Sequence, residues 1–448
     1  MTDSACPIQH AGLVVAAGAK EGRGTGASRL TPALTALAVV VLLVSAAAPA
    51  FAQTARDLSV MRRPRPEFQP LCFLTDLGLT GEEGAGGFRV CPRVQVTGGY
   101  DDNVFRTEDD AEGDAFTRVS PRIALRSNWE NHAVGVELRG DIERYADLTN
   151  NDWEDFELRG QGRLDVREDL YARATASVGR FHEDRDDPDA PPGVAGVNQF
   201  YKGEEGLQLT YQPTDLVFRL EGRARQIDWR KNGFIDNDDR DRHEYEVSFR
   251  AGMEYAEEFL FFVEPAYNIR RYRRDRDFEG FERDSQGFDV RAGVLYDVSG
   301  LTFLEASAGY FRQDFADRRF ETADGVSVQV DMAWNPTELL TVNMGAGRSV
   351  EETTQLGVSS IVASRATLGF EYEIDYNLMF DTLGTFRRDD FEGGSRQDDN
   401  IFARAGLTYL MNEYLSWNAR YLYARRSSSL AGNDFTSNTL LLTLRGQL

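Results

Sequence analysis

The feature that most constrains this chain is an alternation of apolar and polar residues that persists for about ten residues at a time. Before Tyr255, one face carries Tyr245, Val247, Phe249, Ala251 and Met253, and the other carries Glu244, Glu246, Ser248, Arg250, Gly252 and Glu254. This period of two predicts β-strands, because helical spacing does not fit it. Long strands with one apolar and one charged face are typical of a barrel that spans a membrane around a polar lumen.

A short turn unit recurs between these stretches. Residues 211–216 read Tyr-Gln-Pro-Thr-Asp-Leu, and residues 334–339 read Trp-Asn-Pro-Thr-Glu-Leu. Similar units recur at intervals of about forty residues, a period that also fits a propeller blade or a helical repeat. The flanking alternation favours long β-hairpins joined by tight turns. The aromatic residues that precede the turns are then predicted to form a girdle at one membrane interface: Tyr211, Tyr255, Tyr296, Trp334, Tyr372 and Tyr409.

The whole pattern predicts an all-β fold. We expect a transmembrane, up-and-down, antiparallel β-barrel of about 18 strands over residues 88–448. Connections without the aromatic unit are long and acidic, and they cover residues 183–197, 230–241, 273–284 and 389–399. Short periplasmic turns and long external loops are typical of bacterial outer-membrane barrels.

The first 52 residues resemble an export signal. Lys20, Arg23 and Arg29 precede an apolar run over residues 34–48, and Ala50-Phe51-Ala52 forms a small-x-small cleavage motif. The alternative is a membrane anchor, but the short apolar run and the cleavage motif favour a signal peptide that is removed near Ala52. We therefore expect the mature protein in the outer membrane of a Gram-negative bacterium. Residues 53–87 show no period and are predicted to be a flexible periplasmic segment.

Charge excludes one class of function. The chain has 73 Asp and Glu against 50 Lys and Arg. An acidic chain without a basic patch does not neutralise phosphates, so we expect no nucleic-acid partner. After signal cleavage only His132, His182 and His243 remain. No catalytic or metal-binding constellation is evident, and the acidic loops lack the spacing of a twelve-residue calcium loop. We predict no cofactor, no metal and no enzymatic activity.

The charged faces supply the candidates for a lumen lining. They are Glu137, Arg139, Arg159, Arg163, Arg219, Glu221, Arg223, Arg225, Glu246, Arg250, Arg291 and Arg404. Two interpretations remain open and do not exclude each other. The charges pair across strands and hydrate the wall, or they select the solute that passes.

Two cysteines remain in the mature chain, Cys72 and Cys91. In an oxidising periplasm they are expected to form a disulfide that ties the N-terminal segment to the first strand.

The first strand ends in Tyr100-Asp101-Asp102-Asn103-Val104-Phe105. With the paired strands that follow, this motif resembles the outer-membrane β-barrel porin family, some members of which accompany exopolysaccharide operons. The resemblance covers residues 88–448. The last strand alternates like an assembly signal through Leu440, Leu442, Leu444 and Leu448, although such signals usually finish with Phe or Trp.

Two functions remain in view. The first is a passive outer-membrane channel for polar solutes or saccharides, for which the resemblance implies exopolysaccharide export as one version. The second is a structural or surface-interaction barrel with a plugged lumen. Either protein is expected to contact outer-membrane lipid, lipopolysaccharide and the outer-membrane assembly machinery, and the channel would also contact a polar solute or polysaccharide.

Overall fold

A computed structural model describes residues 71–75, 87–129, 131–190, 196–233, 236–256, 258–298 and 301–448. The predicted signal peptide and most of the predicted N-terminal segment lie outside these residues. Within the described part of the chain, no helix is long and apolar enough to cross a membrane.

The described residues form strands, together with two short 3-10 helices at Thr149–Asn151 and Asp238–Arg240. The strands are β1 (Phe73–Thr75), β2 (Phe88–Asp101), β3 (Asp114–Ser127), β4 (Ala133–Tyr145), β5 (Trp153–Arg167), β6 (Leu170–His182), β7 (Gln199–Tyr211), β8 (Leu216–Trp229), β9 (Arg242–Ala256), β10 (Phe259–Tyr272), β11 (Ser285–Val298), β12 (Thr302–Phe315), β13 (Ala323–Trp334), β14 (Leu340–Glu351), β15 (Ser360–Asp375), β16 (Leu378–Glu392), β17 (Gln397–Leu410), β18 (Leu415–Ser428) and β19 (Phe435–Gln447).

Strands β2 to β19 form one closed barrel. Each strand pairs antiparallel with the next along the chain, and β19 returns to pair with β2 through Leu440 opposite Tyr100. Closure gives each of these 18 strands a partner on both sides, so most of their backbone groups find partners within the sheet. The prediction of an all-β, up-and-down barrel of about 18 strands is confirmed.

The two faces of the wall differ as the alternation predicts. Leu138 on β4 and Leu220 on β8 are about half exposed on the outer, apolar face. Residues that lie directly opposite each other on neighbouring strands share a face. Glu137 opposite Arg159, and Arg139 opposite Glu157, therefore lie together on the inner face.

One predicted loop is much shorter than expected. The acidic stretch 389–399 was predicted as a loop, but β16 continues to Glu392 and β17 already begins at Gln397. Asp389 is fully buried opposite Asp398, and it accepts hydrogen bonds from Arg387 and Asn400. The acids continue the inner face of the hairpin because arginine and amide partners inside the barrel compensate for their charge.

Strand β1 lies at the seam where the barrel closes. Phe73 pairs with Val90 of β2, on the side where β19 stops at Gln447 opposite Arg93. Cys72 and Cys91 lie next to this pairing and form a disulfide, with 4.2 Å between their Cα atoms. Residues 71–75 belong to the segment predicted to be flexible, and the structure places Phe73–Thr75 on the sheet.

One hairpin separates from β13 near the outer end of the barrel. Pairing between β13 and β14 ends at Gln329 opposite Gly347, although both strands continue beyond that point. Above it, Val350 and Val362 pack against Phe311 and Ala323 of the neighbouring wall. We call residues 348–363 the inward hairpin, because they lie inside the wall formed by β12 and β13.

Candidate functional site: the lumen and its outer mouth

The predicted lumen residues on β4 and β5 all take part in ion pairs on the inner face. Glu137 accepts from Arg122 of β3 at 2.5 Å, while Glu157 lies 2.7 Å from Arg139 and 3.1 Å from Arg159. Arg163 bonds Asp165 at 2.7 Å. The carboxylate partners Glu157 and Asp165 follow the same alternation on β5, so the sequence also contained the signal for them.

The predicted residues on β8 and β9 line a cavity. Arg223 lies 2.6 Å from Glu221 and 3.7 Å from Glu246, and Arg225 bridges Glu204 and Glu244 at 2.8 and 3.0 Å. The cavity has a volume of about 970 Å³. Six of the twelve predicted residues line it: Arg159, Arg163, Glu221, Arg223, Arg225 and Glu246.

Arg250 and Arg291 form a separate, more buried cluster. Arg250 bonds Glu264 at 2.5 Å and Glu305 at 2.7 Å, and Arg291 bonds Glu264 at 2.8 Å. Arg219 of β8 lies directly opposite Arg250 of β9. The glutamates of this cluster were not among the predicted residues. The remaining predicted residue, Arg404 on β17, lies apart from the others and 3.8 Å from Asp381.

Positive charge is concentrated on one side of the lumen. From β16 through the seam to β6, the periplasmic half of the inner face carries eleven arginines and only four carboxylates among the described residues. The arginines are Arg404, Arg420, Arg445, Arg89, Arg93, Arg122, Arg126, Arg139, Arg159, Arg163 and Arg173, and the carboxylates are Asp381, Glu137, Glu157 and Asp165. We call this surface the basic wall.

The inward hairpin is held across the lumen by buried polar contacts. Glu352 forms an ion pair with Arg270 of β10 and accepts a hydrogen bond from the Tyr272 hydroxyl at 2.5 Å. Arg283 is 2% exposed and donates to the carbonyl oxygens of Thr353, Gln355 and Val358 at 2.6–3.0 Å. These contacts explain how the β14 arm of the hairpin is held away from β13, while its β15 arm stays paired with β16.

A loop from the opposite side of the barrel meets this hairpin. The β6–β7 loop presents Asp189, which accepts from the Thr353 hydroxyl at 2.5 Å, and the carbonyl of Pro188, which accepts from Gln355 at 3.1 Å. The carbonyl of Asp186 accepts from Arg426 of β18 at 2.7 Å. Because β6 and β14 lie on opposite sides of the closed ring, these contacts span the outer mouth.

One buried carboxyl supports the outer loops beside this crossing. Asp241 is 1% exposed, and it accepts from the backbone of Trp229 and from Arg273, each at 2.6 Å. Burial raises the pKa of Asp241 from its usual value to about 6, and the neighbouring Asp228 acts in the same direction. Its hydrogen bonds and Arg273 oppose this rise, but the cost of burying the charge is larger.

The sequence of the chain matches the model of a known protein family. The sequence model of one protein family, described as Putative beta-barrel porin 2, matches residues 80–448. The chain belongs to this family. It is therefore a porin-like channel protein of the outer membrane of a Gram-negative bacterium. No curated protein matches its sequence.

Several solved structures are similar to this porin. The OccK2 (OpdF) protein of Pseudomonas aeruginosa is 13% identical, with 80% of this chain and 98% of that chain covered and a TM-score of 0.42. For the outer membrane protein OpdK of the same organism the identity is 12%, the coverage is 80% and 99%, and the TM-score is 0.42. The siderophore receptor PirA from Acinetobacter baumannii is 8% identical, with 80% of each chain covered and a TM-score of 0.45.

The predicted girdle residues of the porin lie at the strand ends next to the tight turns. Five of them are exposed by between 37% and 78%: Tyr211, Tyr255, Trp334, Tyr372 and Tyr409. The sixth, Tyr296, is partly covered because its ring packs 4.5 Å from that of Phe259.

The histidines of the porin have structural contacts. His132 exchanges hydrogen bonds with Asp165 at a tight turn. His182 lies 2.9 Å from Asp155 and stacks on Trp153, and His243 stacks on Tyr245. Among the described residues, no three His, Cys, Asp or Glu side chains are grouped as they would be around a metal ion.

Proposed function

We propose that this porin passes polar solutes or saccharides passively, with exopolysaccharide export as its specific task. The observation that supports this proposal best is the inner wall, where paired charges line a cavity of about 970 Å³. Ion pairs such as Arg223–Glu221 keep the wall hydrated, and their remaining donors and acceptors can exchange hydrogen bonds with the hydroxyl groups of a sugar. The twelve predicted residues are proposed as part of this lining.

The contacts across the outer mouth favour a second candidate. The inward hairpin and the β6–β7 loop meet over the lumen through Thr353 and Asp189. A barrel that keeps this arrangement permanently would be a structural or surface-interaction protein. In the described part of the chain, the obstruction comes from external loops, whereas a plug formed by residues 53–70 lies outside the described residues.

Single-channel conductance of the refolded mature chain, residues 53–448, separates the candidates. Steady current steps from the unaltered chain would establish a channel that is open at rest. Steps that arise only after Glu352→Gln would show that the inward hairpin is a gate. No current from either protein, each shown to be folded, would favour the structural barrel.

N-terminal sequencing of the exported protein tests the predicted cleavage site. We expect the mature chain to begin at Gln53.

A further inference from the structure

The basic wall brings arginines close together without enough acid to compensate them. Arg93 of β2 lies directly opposite Arg122 of β3, which lies directly opposite Arg139 of β4. Arg163 and Arg173 face each other in the same way on β5 and β6. Like charges that lie directly opposite each other destabilise a sheet. The arrangement therefore costs stability unless another anion is present.

Not every arginine of the wall has a carboxylate partner among the described residues. Arg122, Arg139 and Arg163 each have a carboxylate within 2.7 Å. Arg93 and Arg126 form no ion pair with any carboxylate that the structure describes. The Arg126 side chain is exposed and lines the cavity of about 970 Å³. A dissolved anion can therefore reach it.

The wall also shows which anion its arginines accept. One guanidinium nitrogen of Arg122 lies 2.5 Å from both carboxylate oxygens of Glu137, and Glu157 serves Arg139 and Arg159 together. Arginine presents a planar fork of donors that fits a carboxylate. Adjacent strands place these forks about 5 Å apart, so several carboxylates on one molecule could bind at once.

We propose that the basic wall is a binding site for the carboxylates of an acidic saccharide, in which Arg93 and Arg126 supply guanidinium groups that pair with no described carboxylate of the barrel. This inference rests on the proposed passage of saccharides and names their class. The site lies in the periplasmic half of the lumen, below the crossing at the outer mouth. A saccharide that enters from the periplasm therefore meets the basic wall before it meets the inward hairpin.

The test is block of single-channel current by trigalacturonate, galacturonate and neutral maltotriose, with equilibrium binding to the folded protein in detergent measured in parallel by calorimetry. We expect trigalacturonate to bind and maltotriose not to bind. Arg126→Gln should weaken binding about tenfold, as expected for the loss of one charge-assisted hydrogen-bonded pair. Equal affinity for galacturonate would identify single carboxylates as the ligand, whereas tighter binding of the trimer would identify a polymer.

Arg365→Gln is the matched control. Arg365 is exposed in a second, smaller cavity of the inner wall, and like Arg126 it forms no ion pair with a carboxylate that the structure describes. Equal weakening by both substitutions would overturn the site, because it would reduce the effect to the overall charge of the lumen. Equal binding of maltotriose and trigalacturonate would overturn it too. If no current is found, the proposed channel fails, while calorimetry still decides whether the basic wall binds carboxylates.

Discussion

Arg283 shows how much of the outer mouth depends on single side chains. It pairs with Asp277 at 2.7 Å, and both side chains are 1% exposed. Its other donors satisfy three carbonyls of the inward hairpin. An unpaired buried carboxylate is costly, so this arginine connects the order of the β10–β11 loop to that of the hairpin.

We expect Arg283→Met to destabilise this region locally by about 3–5 kcal/mol, because Asp277 and the carbonyls would lose their partner. Hydrogen exchange should then accelerate at residues 353–358 while the barrel strands stay protected. Arg276→Met is the control, since Arg276 lies in the same loop and donates to one carbonyl, that of Gly280. Unchanged exchange in Arg283→Met would contradict the role given to this residue.

Asp241 predicts a dependence on pH. Its pKa is about 6 in the folded protein against an ordinary 3.8, so the folded loops bind the proton more tightly than unfolded loops. The penalty for the buried charge is present above pH 6 and is relieved as the pH falls below it. Between pH 7.5 and 5 we expect the loops around Asp241 to gain about 1.4 kcal/mol, or tenfold in protection from exchange corrected for the intrinsic rate. Asp241→Asn should remove this gain, and a gain that survives the substitution would assign it to another group.

At the scale of elements, the inward hairpin is the feature with the clearest mechanical meaning. Its ion pair between Glu352 and Arg270 joins the segment after β14 to β10, four strands away, and the Glu352 side chain is 3% exposed. Because no regular pairing holds residues 348–351 to β13, this contact and those of Arg283 fix the position of the hairpin across the lumen, while β15 stays paired with β16.

We expect Glu352→Gln to weaken the closed arrangement by about 1.5–3 kcal/mol, the range for a hydrogen bond to a charged group. Single-channel recordings should then show at least tenfold more time in the open state. Glu351→Gln is the control one position away, because Glu351 pairs with Arg387 on the wall and not across the lumen. Equal behaviour of the two variants would argue against a gate at this position.

Element by element, the sequence predicts what is local and misses what is not. Alternation locates the strands because each residue along a strand meets lipid or lumen in turn. It cannot show that the hairpin at residues 348–363 separates from β13, because this depends on Arg270 and Arg283, which are distant in sequence. The acids at 389–392 were predicted to be a loop since their compensating partners, such as Arg387 and Asn400 for Asp389, are not evident from composition. Strand β1 is too short to show any period.

At the scale of the whole molecule, the closed barrel follows from the sequence, but the distribution of charge around it does not. The up-and-down barrel was predictable from the alternation and the turns between strands, and the same alternation predicts which arginines face the lumen. Concentration of eleven arginines on one side emerges only when β17 to β19 are placed beside β2 by closure. The candidate site was therefore predicted as single residues and not as a surface.

The disulfide gives a prediction for the assembled protein. Alkylation of the unfolded, unreduced mature chain should label neither Cys72 nor Cys91, and labelling after reduction should modify both, because the two sulfur atoms are bonded to each other. Mass spectrometry of the labelled chain measures this. Full labelling before reduction would contradict the pairing.

Strand β1 affects how readily the chain aggregates in the periplasm before it inserts into the membrane. Beyond Arg93, the seam edge of β2 is not paired with β19, and β1 covers it at residues 88–90. An exposed strand edge recruits strands from other copies, and a crowded compartment offers many of them. The Cys72–Cys91 bond holds β1 next to this edge of β2. The local concentration of β1 at the edge is therefore higher than that of a strand from another copy. Formation of the disulfide before membrane insertion would therefore reduce aggregation of copies that are still in the periplasm.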